Sequence, residues 1–351
     1  MLLIVTKDEM MYDRGMLENK KILITGSNGF IGYHLSSRLL KDVEGIEIIG
    51  VDNMNDYYDV RLKQERLNEL QALKKNYTFI KGDISDKQFI DELFETNHFD
   101  IVINLAAQAG VRYSLENPDV YIQANVIGFY NILEAVRNHP VEHLIYASSS
   151  SVYGGNEKVP FSTDDKVDHP VSLYAATKKT DELLAYTYTH LFGMKTTGLR
   201  FFTVYGPKGR PDMAYFSFTN KLLNNEKIRI FNYGKCERDF TYVDDIVEGI
   251  IRIMDQGPKE DYNLYNIGNS HPENLMDFVY TLTECLKNNK VLSDDFNVDE
   301  HMELVAMQPG DVPVTYSDTA PLMNDYGFKP ETPLREGLDR FARWYKEFYK
   351  L

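Results

Sequence analysis

An α/β fold, doubly wound about a parallel sheet and extended by a smaller C-terminal lobe, is predicted by three features of the chain. Strand-sized apolar runs at 21–26, 47–52, 77–83, 100–107, 143–149 and 195–202 alternate with helix-period segments at 30–40, 87–95, 121–138 and 174–191. Strands alternating with helices imply parallel pairing with helices on the sheet faces. Directly behind the first run lies the turn Gly26-Ser27-Asn28-Gly29-Phe30-Ile31-Gly32, and the second run ends in the acid Asp52. After Phe202 the alternation loosens. There Gly206-Pro207-Lys208-Gly209-Arg210-Pro211 opens a region of shorter pieces, with helices at 214–224, 245–254, 275–287 and 334–349 and a strand at 228–232. Residues 1–20 read as a mobile extension, 21–202 as a dinucleotide-binding domain, and 203–351 mainly as a substrate-binding lobe. A substrate is expected in the crevice between the two lobes.

The glycine turn gives the first run its chemistry. Glycines there let the backbone approach a pyrophosphate and let strand and helix pack closely. The helix opening near Phe30 offers unpaired N–H groups and a positive dipole end to phosphates. Asp52 is placed to accept hydrogen bonds from a ribose diol and to repel a 2′-phosphate, and no Arg follows it directly. NAD is therefore the expected cofactor rather than NADP, and the fold is of the Rossmann type.

Composition narrows the rest. The 351 residues carry a formal net charge of −15, an unfavourable field for nucleic acid or an anionic membrane. Cys236 and Cys285 form neither a disulfide framework nor a metal-ligand spacing, so no metal is expected and a reducing, cytoplasmic setting fits. Charges at Lys7, Asp8, Glu9, Asp13, Arg14 and Glu18 interrupt any signal-peptide core. No later stretch approaches the roughly 20 apolar residues of a membrane span.

Between the fifth and sixth runs stand Ser148-Ser149-Ser150-Ser151-Val152-Tyr153-Gly154 and then Tyr174-Ala175-Ala176-Thr177-Lys178. A Tyr and a Lys four apart share one helix face. A phenol of ordinary pKa near 10 is a poor base at neutral pH, and an adjacent ammonium favours its phenolate. Tyr174 is thus placed to take a hydroxyl proton while NAD takes the hydride, with a strand-end Ser holding the same hydroxyl.

At these residues the chain resembles the extended short-chain dehydrogenase/reductase family, over nearly everything from Lys21 to the last helix. Further matches are Gly82-Asp83-Ile84, which the resemblance places at the adenine, Asn104-Leu105-Ala106-Ala107-Gln108 along the cofactor, and Asn125 and Arg200-Phe201-Phe202. With Asn53 beside Asp52 and Phe201 at the strand end, these complete the expected cofactor site of Gly26, Asn28, Gly29, Phe30, Ile31, Gly32, Tyr174 and Lys178. Counting back three from Val152 implies Ser149 as the catalytic hydroxyl. Relatives that dehydrate sugar nucleotides carry an acidic pair where this chain has Ser150 and Ser151. Oxidation followed by return of the hydride needs no such acid, so the serines point to epimerisation.

The substrate expectations also follow from resemblance. Arg238, in Arg238-Asp239-Phe240-Thr241, looks like the Arg that grips a nucleotide diphosphate, although a salt bridge to Asp244 or Asp245 competes as its reading. Those two acids read as helix N-caps. Phe231 stands where relatives stack an aromatic on uracil, with a core aromatic as competitor. Asp311 matches a ribose contact, while Gln308 replaces an Arg found in UDP-galactose 4-epimerases. Thr203, Arg210 and Met213, together with the segment around Arg112, are similar to UDP-glucuronate 4-epimerases, in which Thr203, Ser150, Ser151 and Arg210 would receive a sugar carboxylate. Arg210 also reads as a solvated loop residue, and Arg112 stays open among diphosphate, sugar and structural roles. The resemblance further implies a UDP-sugar substrate and a homodimer. A UDP-glucuronate decarboxylase, a neutral-sugar or N-acetylated-sugar 4-epimerase, and a non-enzymatic NAD sensor are the competing readings.

Overall fold

The computed structural model describes residues 15–307 and 313–351. Its first two-thirds lay down six parallel strands, β1 (Lys21–Thr25), β2 (Glu47–Asp52), β3 (Tyr77–Lys81), β4 (Ile101–Asn104), β5 (His143–Ser149) and β6 (Thr196–Phe201). Helices α1 (Phe30–Asp42), α2 (Val60–Ala72), α3 (Lys87–Thr96), the one-turn α4 (Tyr113–Glu116) and α5 (Pro118–Tyr121), α6 (Gly128–Asn138) and α7 (Leu173–Phe192) connect them. β1, β4 and β5 are buried almost throughout because helices cover both sheet faces, which is why they read as unbroken apolar runs.

Later segments build α8 (Ala214–Leu223), α9 (Val243–Gln256), α10 (Leu275–Asn288), α11 (Ala320–Tyr326) and α12 (Leu334–Tyr349). The short strands β7 (Thr203–Tyr205), β8 (Ile228–Ile230), β9 (Glu237–Tyr242), β10 (Tyr262–Ile267), β11 (Pro272–Asn274), β12 (Met302–Leu304) and β13 (Val314–Thr315) lie among them. β9 is the spine of the smaller lobe and pairs with β7, β11 and β13. β10 instead returns to the large sheet as a seventh parallel strand beside β6, in the order β10-β6-β5-β4-β1-β2-β3.

That strand escaped the sequence reading because Tyr262-Asn263-Leu264-Tyr265-Asn266-Ile267 is not an apolar run. Its asparagines are nonetheless buried and bonded: Asn266 accepts from the Tyr153 hydroxyl at 2.7 Å and donates to the Phe161 carbonyl at 2.7 Å. The chain moves outward from β1 to β3, then restarts at β4 on the other side of β1. This reversal opens a crevice at the carboxyl edge of the sheet, where α/β proteins bind ligands.

Ile22 and Ile24 point into a core shared with α1 and α9, while Leu23 and Val102 face one shared with α3, α6 and α7. Residues 15–20 are docked rather than mobile as expected. Leu17 is fully buried in the α1/α9 core and Lys20 pairs with Glu142 at 2.5 Å. Among the described residues no helix is long and apolar enough to cross a membrane.

Candidate active site

β1 is followed by Gly26 with φ +68°, and the chain doubles back into α1. A Cβ on Gly26 would sit 2.8 Å from the Ala106 nitrogen, and one on Gly32 would sit 2.2 Å from the Gly26 carbonyl oxygen. Glycine is required at both, because the turn packs directly on the segment following β4 and on itself. Gly29 caps α1 without any side-chain bond, so the helix presents its first N–H groups bare to the crevice. This cradle fits a pyrophosphate.

Asp52 is buried at the end of β2, where its carboxylate accepts from the Asn28 and Met54 amides at 3.2 and 2.8 Å. Each oxygen keeps a lone pair for a ribose diol. A cation does face it: Lys63 of α2 lies 3.6 Å away, held by Asn55 at 2.9 Å. No Arg follows Asp52 in the sequence, and the cation comes instead from a helix that runs back past it. Asp83 is fixed by Asn53 and Ser85, which orients it at the same edge.

The residues assigned to the cofactor line one cleft of about 710 Å³, with two exceptions that stand behind its wall. Asn28 is fully buried, its side chain directed to Met54. Asn125 accepts from the Gln108 amide at 2.7 Å and donates to the Gln108 carbonyl and the Thr177 hydroxyl. Its polar groups are consumed in fastening the 105–108 segment to α7. The π-helical turn Ile122–Ile127 that carries it brings the amide to that segment.

α7 begins where Ser172 caps the Ala175 amide, and it ends at Gly193 in the left-handed conformation. Tyr174 therefore sits in the first turn, open to the cleft, and Lys178 one turn deeper. Lys178 is buried and donates to the Ala147 carbonyl at 3.0 Å and to Asp181 at 3.1 Å. The helix is pinned to the sheet by Glu182, which takes a two-pronged bond from Arg200 of β6 and another from Ser148 of β5. Although burial opposes its charge, Arg200 and Ser148 hold the Glu182 carboxyl below the usual range. Ser149 lies at the end of β5 and caps the turn Ser150–Tyr153 by accepting from the Ser151 amide at 3.1 Å. Its hydroxyl shares the cleft with those of Ser150, Ser151 and Tyr174.

The same cleft is lined by Thr203, Met213, Phe231, Arg112 and Arg238. Phe231 is only partly buried and belongs to no core cluster; Arg112 and Arg229 lie over its ring at 5.4 and 5.5 Å. Arg229, on β8, was not anticipated, because nothing in its spacing sets it apart from other surface cations. Arg238 does not pair with Asp244 or Asp245. It donates to the Glu237 and Pro313 carbonyls, while Asp244 meets Arg340 and Asp245 takes the Thr332 amide. Neither acid is an N-cap, since Tyr242 holds that position in α9. Gln308 and Asp311 lie outside the described residues.

Arg210 is not a solvated loop residue. Its guanidinium forks onto Asp212 at 3.0 and 2.5 Å, and this carboxylate outweighs burial in keeping the cation charged. The loop is anchored by Arg66 of α2, fully buried, which donates to the carbonyls of Asn28, Lys208 and Gly209 at 2.8, 2.7 and 3.1 Å. One guanidinium thus ties the glycine turn to the loop bearing Arg210. Tyr57 completes the wall, its ring 4.9 Å from Tyr113 and its hydroxyl pushed up to about 12 by burial and Asp212. Cys236 also lines the cleft.

The geometry agrees with what the chain is similar to. It is 49% identical over 346 residues to Protein CapI of Staphylococcus aureus, covering 94% of this chain and 99% of that one. It is 43% identical to UDP-glucuronate 4-epimerase 2 of Arabidopsis thaliana, covering 94% and 76% of the two chains. Among solved structures, UDP-glucuronic acid 4-epimerase of Bacillus cereus in complex with UDP-glucuronic acid and NAD superposes with a TM-score of 0.82. It shares 30% identity, and the match covers 94% of this chain and all of that one. A single family model spans residues 22–268, from β1 to just past β10, and so takes in the glycine turn, Tyr174, Lys178 and Arg238. With the cradle, the tyrosine–lysine pair and these relatives in agreement, the chain belongs to the NAD dependent epimerase/dehydratase family.

Proposed function

We propose that the protein is a UDP-glucuronate 4-epimerase, interconverting UDP-glucuronate and UDP-galacturonate through a 4-keto sugar that never leaves the cleft. The observation that carries this reading is the meeting, in one cleft, of Tyr174 and Ser149 with a cation and hydroxyls suited to a sugar carboxylate, Arg210, Thr203, Ser150 and Ser151. NAD, when bound, accepts hydride from carbon 4 and returns it. Tyr174 takes the proton of the 4-hydroxyl while Ser149 holds that hydroxyl in line. Lys178, one turn deeper on the same helix, sets its buried ammonium in the same cleft, held by the Ala147 carbonyl and Asp181. Arg238 holds the diphosphate and Phe231 the uracil, so that the ketone turns about a fixed link and presents its other face. Incubation with UDP-glucuronate, followed by NMR, should yield UDP-galacturonate. UDP-pentose as the main product would overturn the proposal in favour of a decarboxylase.

Phe231→Leu keeps the apolar volume and loses the aromatic face. An aromatic pairing contributes about 0.5–1.5 kcal/mol beyond area. We expect KM for every UDP-sugar to rise about two- to tenfold, with kcat unchanged in steady-state assays. A selective loss for one sugar would place Phe231 at the sugar instead.

A homodimer is part of the proposal. Leu183 and Tyr186 share the outer face of α7 and are more than half exposed, beside the partly exposed Ile127 and Tyr130 at the start of α6. Such an apolar surface on two packed helices suits a self-complementary two-fold contact. Leu183→Glu should convert the dimer to a monomer in light scattering; an unchanged mass would locate the contact elsewhere. The two cysteines are buried and unpaired, which supports a reducing, cytoplasmic setting.

A further inference from the structure

α7 sets two acids side by side beneath the tyrosine–lysine pair and satisfies them unequally. Glu182 receives bonds from Arg200, Ser148 and Lys179. Asp181, equally buried, receives one, from the Lys178 ammonium at 3.1 Å, and its other oxygen, Oδ1, is buried with no hydrogen-bond partner among the described residues. A carboxylate left half-bonded in a dry site is costly, and the protonated acid avoids most of that cost.

We propose that Asp181 is a positioning residue of the reaction, which sets through its own charge how strongly the Lys178 ammonium acts on Tyr174. The inference rests on Tyr174 being the base. When ionised, Asp181 lies against the ammonium and cancels part of its field; when protonated, it leaves the whole positive charge to act on the phenolate. Burial pushes the Asp181 carboxyl up to about 7, against the pull of Lys178, so both states are populated near neutrality. Among the described residues, the titratable groups set against it are Lys178 and Glu182 on its own helix and Tyr146 on β5. Glu182 is neutralised by Arg200, and burial keeps the Tyr146 phenol protonated, so the variable charge is that of Asp181 itself.

Asp181 and Tyr174 are then coupled through an ammonium that stays charged in both states. A proton on Asp181 disfavours one on Tyr174, which stretches the acid limb of the rate profile over a wider range than a single ionisation. Asp181→Asn keeps the shape and an acceptor for Lys178 but removes the charge. In the NAD-loaded enzyme the acid limb of kcat should move to lower pH, by about half a unit to one unit, and sharpen to one ionisation. The phenolate absorbance that Tyr174→Phe abolishes should shift by the same amount. Stability gives a readout free of turnover. The folded-state pKa of Asp181 lies above its unfolded value, so the folded protein holds the extra proton, and stability present at low pH is lost as pH rises through about 7. The wild-type Tm should therefore fall relative to that of Asp181→Asn between pH 5 and 8.

A limb, a phenolate titration and a Tm difference that all stay unmoved in a folded, NAD-loaded Asp181→Asn would overturn the proposal. Should that variant not fold, a wild-type Tyr174 titration of single-site slope would overturn it equally. Full turnover in Tyr174→Phe would instead sink the base assignment itself, so the two failures are distinguishable.

Discussion

Tyr174→Phe is expected to retain NAD and bind UDP-sugar with near-wild-type affinity while losing about 10²–10⁴ in kcat, the usual contribution of a positioned acid–base. Only the hydroxyl is removed. The ring keeps its edge contact with Tyr121 at 6.1 Å, Lys178 keeps its two anchors, and the glycine cradle lies on other elements. Stopped-flow absorbance of the reduced cofactor reads the first hydride transfer directly, and near-normal reduction would remove Tyr174 from the role. Ser149→Ala should be milder, since it deletes a hydrogen bond rather than the base, and Ser150→Ala milder still. If Ser150 proves the more damaging, the catalytic hydroxyl is one residue further along the run. Ser149 also caps the Ser151 amide, so its variant needs a melting curve alongside to separate lost catalysis from a loosened turn.

The parts of the site legible in the sequence are those whose chemistry dictates local spacing. Gly26, Gly29 and Gly32 must fall within one turn, and Tyr174 and Lys178 must fall on one helix face, so linear order suffices to find them. What escaped the reading depends on long-range return. Lys63 reaches the crevice, and Arg66 the loop behind it, because α2 runs back past the glycine turn, and Arg229 reaches the crevice on a three-residue strand paired with β12. Asn125 matched a motif yet acts from behind the wall, since a motif records position and not which way the amide turns. β10 shows the same limit at the level of the fold. A buried edge strand can carry asparagines when partners such as Tyr153 and the Phe161 carbonyl await them, and no period in the sequence reveals those partners. Asp181 is three residues past Lys178, a spacing common to surface ion pairs; only burial makes it unusual.

Arg210→Ala should reduce kcat/KM for UDP-glucuronate about ten- to a hundredfold more than for UDP-glucose. The guanidinium meets Asp212 through Nε and Nη2, which leaves Nη1 for a second carboxylate, and Asp212 holds the fork in place before any substrate arrives. A charge-assisted bond to the sugar acid contributes about 1.5–3 kcal/mol, and UDP-glucose has no anion to lose. Arg210→Lys should recover little, because an ammonium cannot serve two carboxylates from one planar fork. The same contact governs the fate of the intermediate. A 4-keto sugar with its carboxyl on carbon 5 is a β-keto acid, and it sheds carbon dioxide once the carboxyl turns so that its carbon–carbon bond aligns with the ketone π system. Arg210, with Thr203 and the serines, would hold the carboxylate out of that alignment. The Arg210→Ala enzyme should therefore release a UDP-4-keto-pentose, visible by NMR, at the expense of UDP-galacturonate. Equal losses on both sugars, with no carbon dioxide released, would show that Arg210 supports the loop tied down by Arg66 or the shared UDP moiety, and would favour a neutral-sugar epimerase.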